Sequence, residues 1–149
     1  MQGIRWVQLS TDELNAFLGS GGTGVISFGE GVDKSPFTVP VSYGYDAETG
    51  NFYFRLSFRP EGTKESVVDR PITFVTHAQT DDRWRSVVAT GTLEDVTEAS
   101  YESNAVQGLW AVEIPEVDIF DRPPEEITFR EYRLDPEMLT GRKEVKAGD

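Results

Sequence analysis

The sequence predicts a mainly β fold, an antiparallel sheet or small barrel with two or three helices. Two observations predict it. Long stretches alternate apolar and polar residues with a period of two. Short turn sequences join most neighbouring stretches, which favours antiparallel pairing over long crossovers.

The elements follow in chain order. Ser10-Thr11-Asp12-Glu13 reads as a capping box, with Ser10 as N-cap and Glu13 at the third helical position. Leu14, Phe17 and Leu18 then recur at helical spacing, and Gly19 can end the helix at positive φ. Thr23 to Phe28 is β-rich and bounded by glycines. From Phe37 to Tyr45 the odd positions Phe37, Val39, Val41, Tyr43 and Tyr45 share one face. Thr38, Pro40, Ser42 and Gly44 share the other. Pro40 has no N–H, so it marks a bulge, an edge or a place where the backbone leaves its neighbour.

Ala47 to Asn51 reads as a hairpin loop. Phe52, Phe54, Leu56 and Phe58 line one face of the returning strand, with Tyr53, Arg55 and Ser57 opposite. A short helix is expected over Glu65 to Asp69. Ile72 to Ala78 and Trp84 to Val96 form a second hairpin around Thr80-Asp81-Asp82-Arg83. A further helix is expected over Glu98 to Trp110, and a last strand over Ile127 to Leu134. The expectation is about six strands in a single domain over residues 1–149, with residues 140–149, above all the polar Glu144 to Asp149, as a frayed tail.

The chain has 149 residues, which fits one domain. At this length about 68–70% of the unfolded surface can be buried, so no disulfide or metal staple is required. No Cys is present and His77 is the only His. Thiolate zinc sites, iron–sulfur clusters, Cys nucleophiles and His-rich metal cages are excluded.

The formal net charge is −12. That argues against nucleic acid and against anionic membranes as partners, because both need clustered Lys and Arg. No apolar run reaches the ~20 residues of a membrane span, and Met1 to Leu9 has no apolar core of a secretory signal. A cytoplasmic location is expected. The carboxylates are dispersed and only Lys34, Lys64, Lys143 and Lys146 are Lys. Such a surface suits a high-salt cytoplasm, where self-repulsion is screened.

Gly19-Ser20-Gly21-Gly22-Thr23-Gly24 matches the letters of a dinucleotide motif. The order is helix, glycines, strand, the reverse of what brings a helix N-terminus to a pyrophosphate. It reads as a connecting loop. His77 lies on a strand with no nucleophile assignable to it. The pairs Asp81-Asp82 and Glu125-Glu126 read as solvated surface. No catalytic acid or base and no metal ligand is assigned.

Phe54 to Lys64 is more informative. Arg55, Ser57, Thr63 and Lys64, with the amides of a Gly62-containing loop, can converge on a phosphate. The following helix start adds partial positive charge. The alternative is that these cations only balance nearby carboxylates. Trp84 opens the strand Trp84-Arg85-Ser86-Val87-Val88-Ala89-Thr90-Gly91, as a wall for a flat ring or as a core or interface aromatic.

Val39 to Tyr45, the hairpin, Phe52 to Leu56, the loop with Lys64, Ile72 to Thr76 and Trp84 to Gly91 follow one another in an order that resembles the pyridoxamine 5′-phosphate oxidase-like flavoproteins. The branch it resembles includes the nitroimidazole-resistance-type proteins. The likeness is strong from Leu14 to Leu93, and Tyr132-Arg133-Leu134 with Leu139-Thr140-Gly141-Arg142 resembles the same branch.

The resemblance implies an antiparallel split β-barrel of the FMN-binding type, a homodimer with FMN at the subunit interface. It implies that Val39, Pro40, Val41 and Ser42 flank the isoalloxazine through backbone groups. Arg55, Leu56 and Ser57 would run beside the ribityl and phosphate. Gly62, Thr63 and Lys64 would hold the phosphate. Trp84 and Ser86 would stand near the ring or its phosphate end, from the partner chain. The fuller Arg and Lys set of vitamin B6 oxidation is missing.

The expected function is that of an FMN-binding oxidoreductase or flavin reductase acting on a small-molecule redox substrate. The alternatives are a non-catalytic flavin carrier, the same barrel around a deazaflavin or haem, and an apo structural subunit in which Arg55 and Lys64 serve only in ion pairs.

Overall fold

The computed structural model describes residues 3–29, 31–58, 70–96 and 128–146. In chain order they form β1 (Ile4–Gln8), α1 (Thr11–Leu18), β2 (Gly21–Phe28), β3 (Phe37–Asp46) and β4 (Asn51–Phe58). They continue as β5 (Pro71–Thr80), β6 (Arg83–Asp95), β7 (Thr128–Leu134) and β8 (Met138–Lys146). Every pairing is antiparallel. The helices expected over Glu65 to Asp69 and Glu98 to Trp110 lie outside the described residues.

The strand order is β1-β8-β6-β5-β2-β3-β4-β7, and β7 also pairs with β6 through Leu93↔Leu134, Glu94↔Arg133 and Asp95↔Tyr132. That second pairing closes β6, β5, β2, β3, β4 and β7 into a barrel. β8 and β1 extend from the earlier part of β6 as a flange.

Inward positions fill the barrel. Phe52, Phe54, Phe74, Ile26, Val87 and Ala89 are wholly buried. The Phe74 ring lies 5.1 Å from Tyr43, 5.1 Å from Phe54 and 5.4 Å from Phe52, centroid to centroid, in the tilted and edge-on arrangements aromatic quadrupoles favour. Gly24 makes room for this cluster. A Cβ there would sit 2.6 Å from the Val75 carbonyl oxygen and 2.7 Å from the Phe74 ring.

α1 closes one end of the barrel. The capping box is formed as the sequence indicates, with Ser10 Oγ accepting from Glu13 N–H and the Glu13 carboxylate accepting from Ser10 N–H. Leu14 and Leu18 are buried. From the barrel, the Tyr43 hydroxyl donates to the Leu18 carbonyl at 3.2 Å and the Tyr45 hydroxyl to Asn15 Oδ1 at 2.7 Å. Burial raises the pKa of both phenols, so they stay neutral donors.

Four expectations need correction. There are eight strands among the described residues rather than about six. β1 was not foreseen, because its short Ile4-Arg5-Trp6-Val7 run is mostly exposed and is held by backbone pairing to β8. Residues 140–146 belong to β8, not to a frayed tail. They are fixed between β6 and β1, with Gly141 packed close against Leu9 and Leu14. Finally, the two faces of β3 and β4 are not simply inside and outside. Phe37 is 55% exposed, while Ser42 and Tyr53 on the outer face are buried.

The Asp81-Asp82 turn has both residues at positive φ, 56° and 64°. This is the backbone that a two-residue hairpin demands. Among the described residues no helix is long and apolar enough to cross a membrane.

Candidate functional site

β3 and β4 form a hairpin that comes apart. They pair only from Asp46↔Asn51 to Tyr43↔Phe54. Beyond that point β3 stays with β2, through Val41, Pro40, Val39 and Thr38 to Phe37. β4 stays with β7, through Arg55↔Glu131, Leu56↔Arg130 and Ser57↔Phe129. The barrel is therefore split between residues 37–42 and residues 55–58, and each lip presents an unpaired strand edge. Pro40 lies on the first lip, opposite Val25 of β2 and with no partner on β4.

Two groups of sequence-predicted residues meet across this split. Val39, Pro40, Val41 and Ser42 form one lip, and Arg55, Leu56 and Ser57 the other. Val41 and Leu56 turn inward and are buried, and Val39 packs on the same core, so only their backbone groups can face a ligand. Ser42 turns outward, and its Oγ is buried without a hydrogen-bond partner among the described residues. A buried hydroxyl without a partner costs about 1–3 kcal/mol, so this atom is a candidate for a missing ligand contact. Arg55 is engaged. Its guanidinium holds the Glu131 carboxylate at 2.9 Å, as the balancing-charge alternative anticipates.

Gly62, Thr63 and Lys64 lie outside the described residues. Trp84 and Ser86 lie on β6, which β2 and β5 separate from the first lip, so one chain does not bring them to the split. They do share a face with it. On the outer side, Ser42 stands opposite Thr23, and His77, Ser86, Arg142 and Gln8 continue in one cross-strand row. The Thr76 hydroxyl, donating to the Thr23 carbonyl at 2.8 Å, ties β5 to β2 at this level. Sequence reasoning did not select Arg142, or Glu131 as the partner of Arg55, because register between distant strands is invisible locally. The signal for Arg142 was the Leu139-Thr140-Gly141-Arg142 string itself.

This outer face differs from the chain as a whole. Along β1, β2, β5, β8 and residues 84–90 of β6, Glu144 is the single outward carboxylate. The exposed apolar side chains Ile4, Trp6, Val25, Trp84 and Met138 all point from it. A face with several exposed apolar side chains and little charge is one that another body can cover.

A cleft of about 380 Å³ opens at the opposite end of the β3–β4 hairpin, between α1, the turn at Ala47–Gly50 and β8. It contains none of the predicted residues. Among the described residues no cluster of three or more carboxylates and imidazoles gathers to hold a metal ion.

The chain matches the family model described as pyridoxamine 5′-phosphate oxidase over residues 10–143. No curated protein matches it. Among solved structures, the FAD binding protein from Mycobacterium smegmatis aligns at 19% identity and TM-score 0.66, over 92% of this chain and 98% of that one. A candidate 5-nitroimidazole antibiotic resistance protein from Bacteroides thetaiotaomicron aligns at 14% identity and TM-score 0.62, over 99% of this chain and 93% of that one. The FAD and heme binding protein from Mycobacterium smegmatis aligns at 12% identity and TM-score 0.59, over 91% of this chain and 72% of that one. At these identities the likeness is one of fold, and it is the split-barrel fold described above.

Proposed function

The chain belongs to the pyridoxamine 5′-phosphate oxidase family, and from that premise we propose that it is a flavin-binding protein whose cofactor sits at the split between β3 and β4. The observation that carries the reading is the parting of the two strands beside the buried, unpartnered Ser42 hydroxyl. The groups there fit a flavin. The open backbone edge of Val39 to Ser42 offers donors and acceptors to the ring edge, and Ser42 Oγ adds one more. Arg55 lies on the other lip, within the chemistry of a ribityl phosphate. FMN is the preferred flavin, with Ser57, Gly62, Thr63 and Lys64 completing the phosphate contacts. The fold's FAD- and haem-binding neighbours make those groups the competitors to test.

When bound, a flavin supplies the hydride or single-electron chemistry, and the protein supplies position and electrostatics. The activity proposed is that of an oxidoreductase on a small redox substrate. A carrier would bind flavin without turnover.

The site is completed by a second copy. Trp84 and Ser86 belong to the flavin site only if another chain brings them there. The outer face is where two chains of charge −12 can approach, since Glu144 is its single outward carboxylate along β1, β2, β5, β8 and residues 84–90. Apolar burial over Val25, Trp84 and Met138 supports the contact. Salt screens the remaining repulsion, which agrees with a high-salt cytoplasmic setting.

The test is an absorbance spectrum of protein purified in molar KCl, before and after FMN, FAD or haem, with sizing and melting on the same samples. Paired flavin bands eluting with a dimer are expected, with a melting temperature that rises with KCl. A folded protein that takes up no flavin refutes the cofactor. A Soret band in its place assigns haem. Flavin uptake without oxidation of NADH or NADPH, or reduction of nitroaromatics or quinones, assigns the carrier.

A further inference from the structure

β1 is the outermost strand of the flange. Among the described residues it pairs with β8 alone, and its other edge is open. One bond fixes the direction of its backbone groups. Leu9 N–H donates to the Gly141 carbonyl at 2.8 Å, in the register that places Val7 opposite Lys143 and Arg5 opposite Val145. Bonding to a given neighbour alternates along an antiparallel strand. Arg5, Val7 and Leu9 therefore bond to β8, while Ile4, Trp6 and Gln8 aim their N–H and C=O groups at the open edge.

The side chains of those same three residues stand on the outer face. Ile4 is 60% exposed and Trp6 52%. Natural sheet edges are commonly blunted by Lys, Pro or a bulge. Ile4-Arg5-Trp6-Val7-Gln8 contains neither Lys nor Pro, and its register with β8 runs without a break. It also contains no carboxylate, in a chain of charge −12.

The strand is complementary to itself. Two copies laid antiparallel at full overlap place Trp6 opposite Trp6, Ile4 opposite Gln8 and Arg5 opposite Val7. The edge-facing residues of one copy then meet those of the other, and each such pair exchanges both N–H···O bonds. No like charges stand directly opposite, which would be destabilising. The two Trp6 rings meet on the outer face, where aromatic pairs add to burial. Glu144, beside Trp6 on β8, stays one strand back. Its copy lies three strand spacings away, about 14 Å, beyond the screening length in molar salt.

We propose that β1 pairs with β1 of a second copy, about a two-fold axis through Trp6 and perpendicular to the sheet. The pairing joins two eight-stranded sheets into one. This axis keeps both outer faces on the same side, so the contact is separate from the outer-face contact above. The two can combine in an assembly of four chains. The inference does not rest on the flavin reading.

The test is sedimentation velocity in molar KCl without flavin, over about two decades of protein concentration, because so short an edge is a small interface. The wild-type mass is expected to double as concentration rises, from one chain to two or, where outer faces already join, from two to four. Amide exchange at Ile4, Trp6 and Gln8 should slow over the same range. Trp6→Pro deletes an N–H that faces the open edge and leaves the β8 ladder whole. It should raise the dissociation constant at least about tenfold, the scale of two lost hydrogen bonds, one from each copy. Trp6→Lys keeps the N–H and sets two like charges at the axis, and it should weaken the pairing as well, which provides the test if the Pro variant does not fold. A wild-type mass that stays constant, or a doubling that survives Trp6→Lys or a folded Trp6→Pro, would overturn the pairing. A doubling without slower exchange at the three amides would give the contact to the outer face and overturn it too.

Discussion

Arg55 and Glu131 stand directly opposite one another on β4 and β7, and their side chains close an ion pair at 2.9 Å on one lip of the split. The pair is partly exposed, 40% at Arg55 and 25% at Glu131, so its contribution to stability is under about 1 kcal/mol. Its position gives it a second use. A phosphate at the split competes with Glu131 for the guanidinium. Arg55→Gln is expected to change unfolding free energy by less than about 1 kcal/mol, and to weaken FMN about tenfold, the scale of a charge-assisted bond. Urea denaturation of the apoprotein and FMN titration measure the two effects separately. An unchanged FMN affinity would leave Arg55 as a structural cation only.

Ser42 separates apo stability from cofactor binding. Its buried hydroxyl has no partner among the described residues. Ser42→Ala removes a polar atom whose burial costs up to about 1–3 kcal/mol. The apoprotein should be as stable or more stable, and FMN affinity should fall severalfold. Thermal melts without cofactor and a fluorescence titration with FMN read the two. A destabilised apoprotein would mean that the hydroxyl already has a partner.

The core makes a prediction independent of function. Phe74→Ala should cost about 3–5 kcal/mol, because a wholly buried ring leaves a cavity among Tyr43, Phe52 and Phe54. Gly24→Ala adds one methyl and should still cost about 1–3 kcal/mol, because that methyl meets the Val75 carbonyl oxygen and the Phe74 ring. Equilibrium unfolding in urea checks both. A neutral Gly24→Ala would mean that β2 and β5 can move apart there.

Acid should loosen the α1 end of the barrel. The bond from Lys143, with the backbone bond from Ser10 next, holds the Glu13 carboxyl at a pKa of about 2 instead of 4.5. A carboxyl with a depressed folded pKa stabilises the fold above its unfolded pKa, and that contribution disappears as pH falls through the folded value. The stability difference between wild type and Glu13→Gln should therefore be full above pH 4.5 and vanish towards pH 2. Gln keeps the backbone bond of the capping box, so the comparison isolates the charge. A difference that does not vary with pH would show that the carboxylate charge plays no part.

The sequence by itself determined what depends on neighbours in the chain. The capping box of α1 follows from four consecutive residues. The β3–β4 and β5–β6 hairpins follow from period-two runs joined by short turns, and the mainly β class follows from those. The residues Val39 to Ser42 and Arg55 to Ser57 could be selected because their order in the chain is itself a pattern.

Only the tertiary structure decided which strands lie beside which. β8 is a polar string until β6 and β1 supply its backbone partners. Arg55 meets Glu131 across 76 positions, and Lys143 meets Glu13 across 130. The split exists because β3 keeps to β2 while β4 keeps to β7, and the row from Ser86 to Arg142 exists because of the β6–β8 register. Hydrogen-bonded ladders are built from backbone groups that every residue carries, so side-chain pattern can say that a segment is a strand without saying which strand it joins.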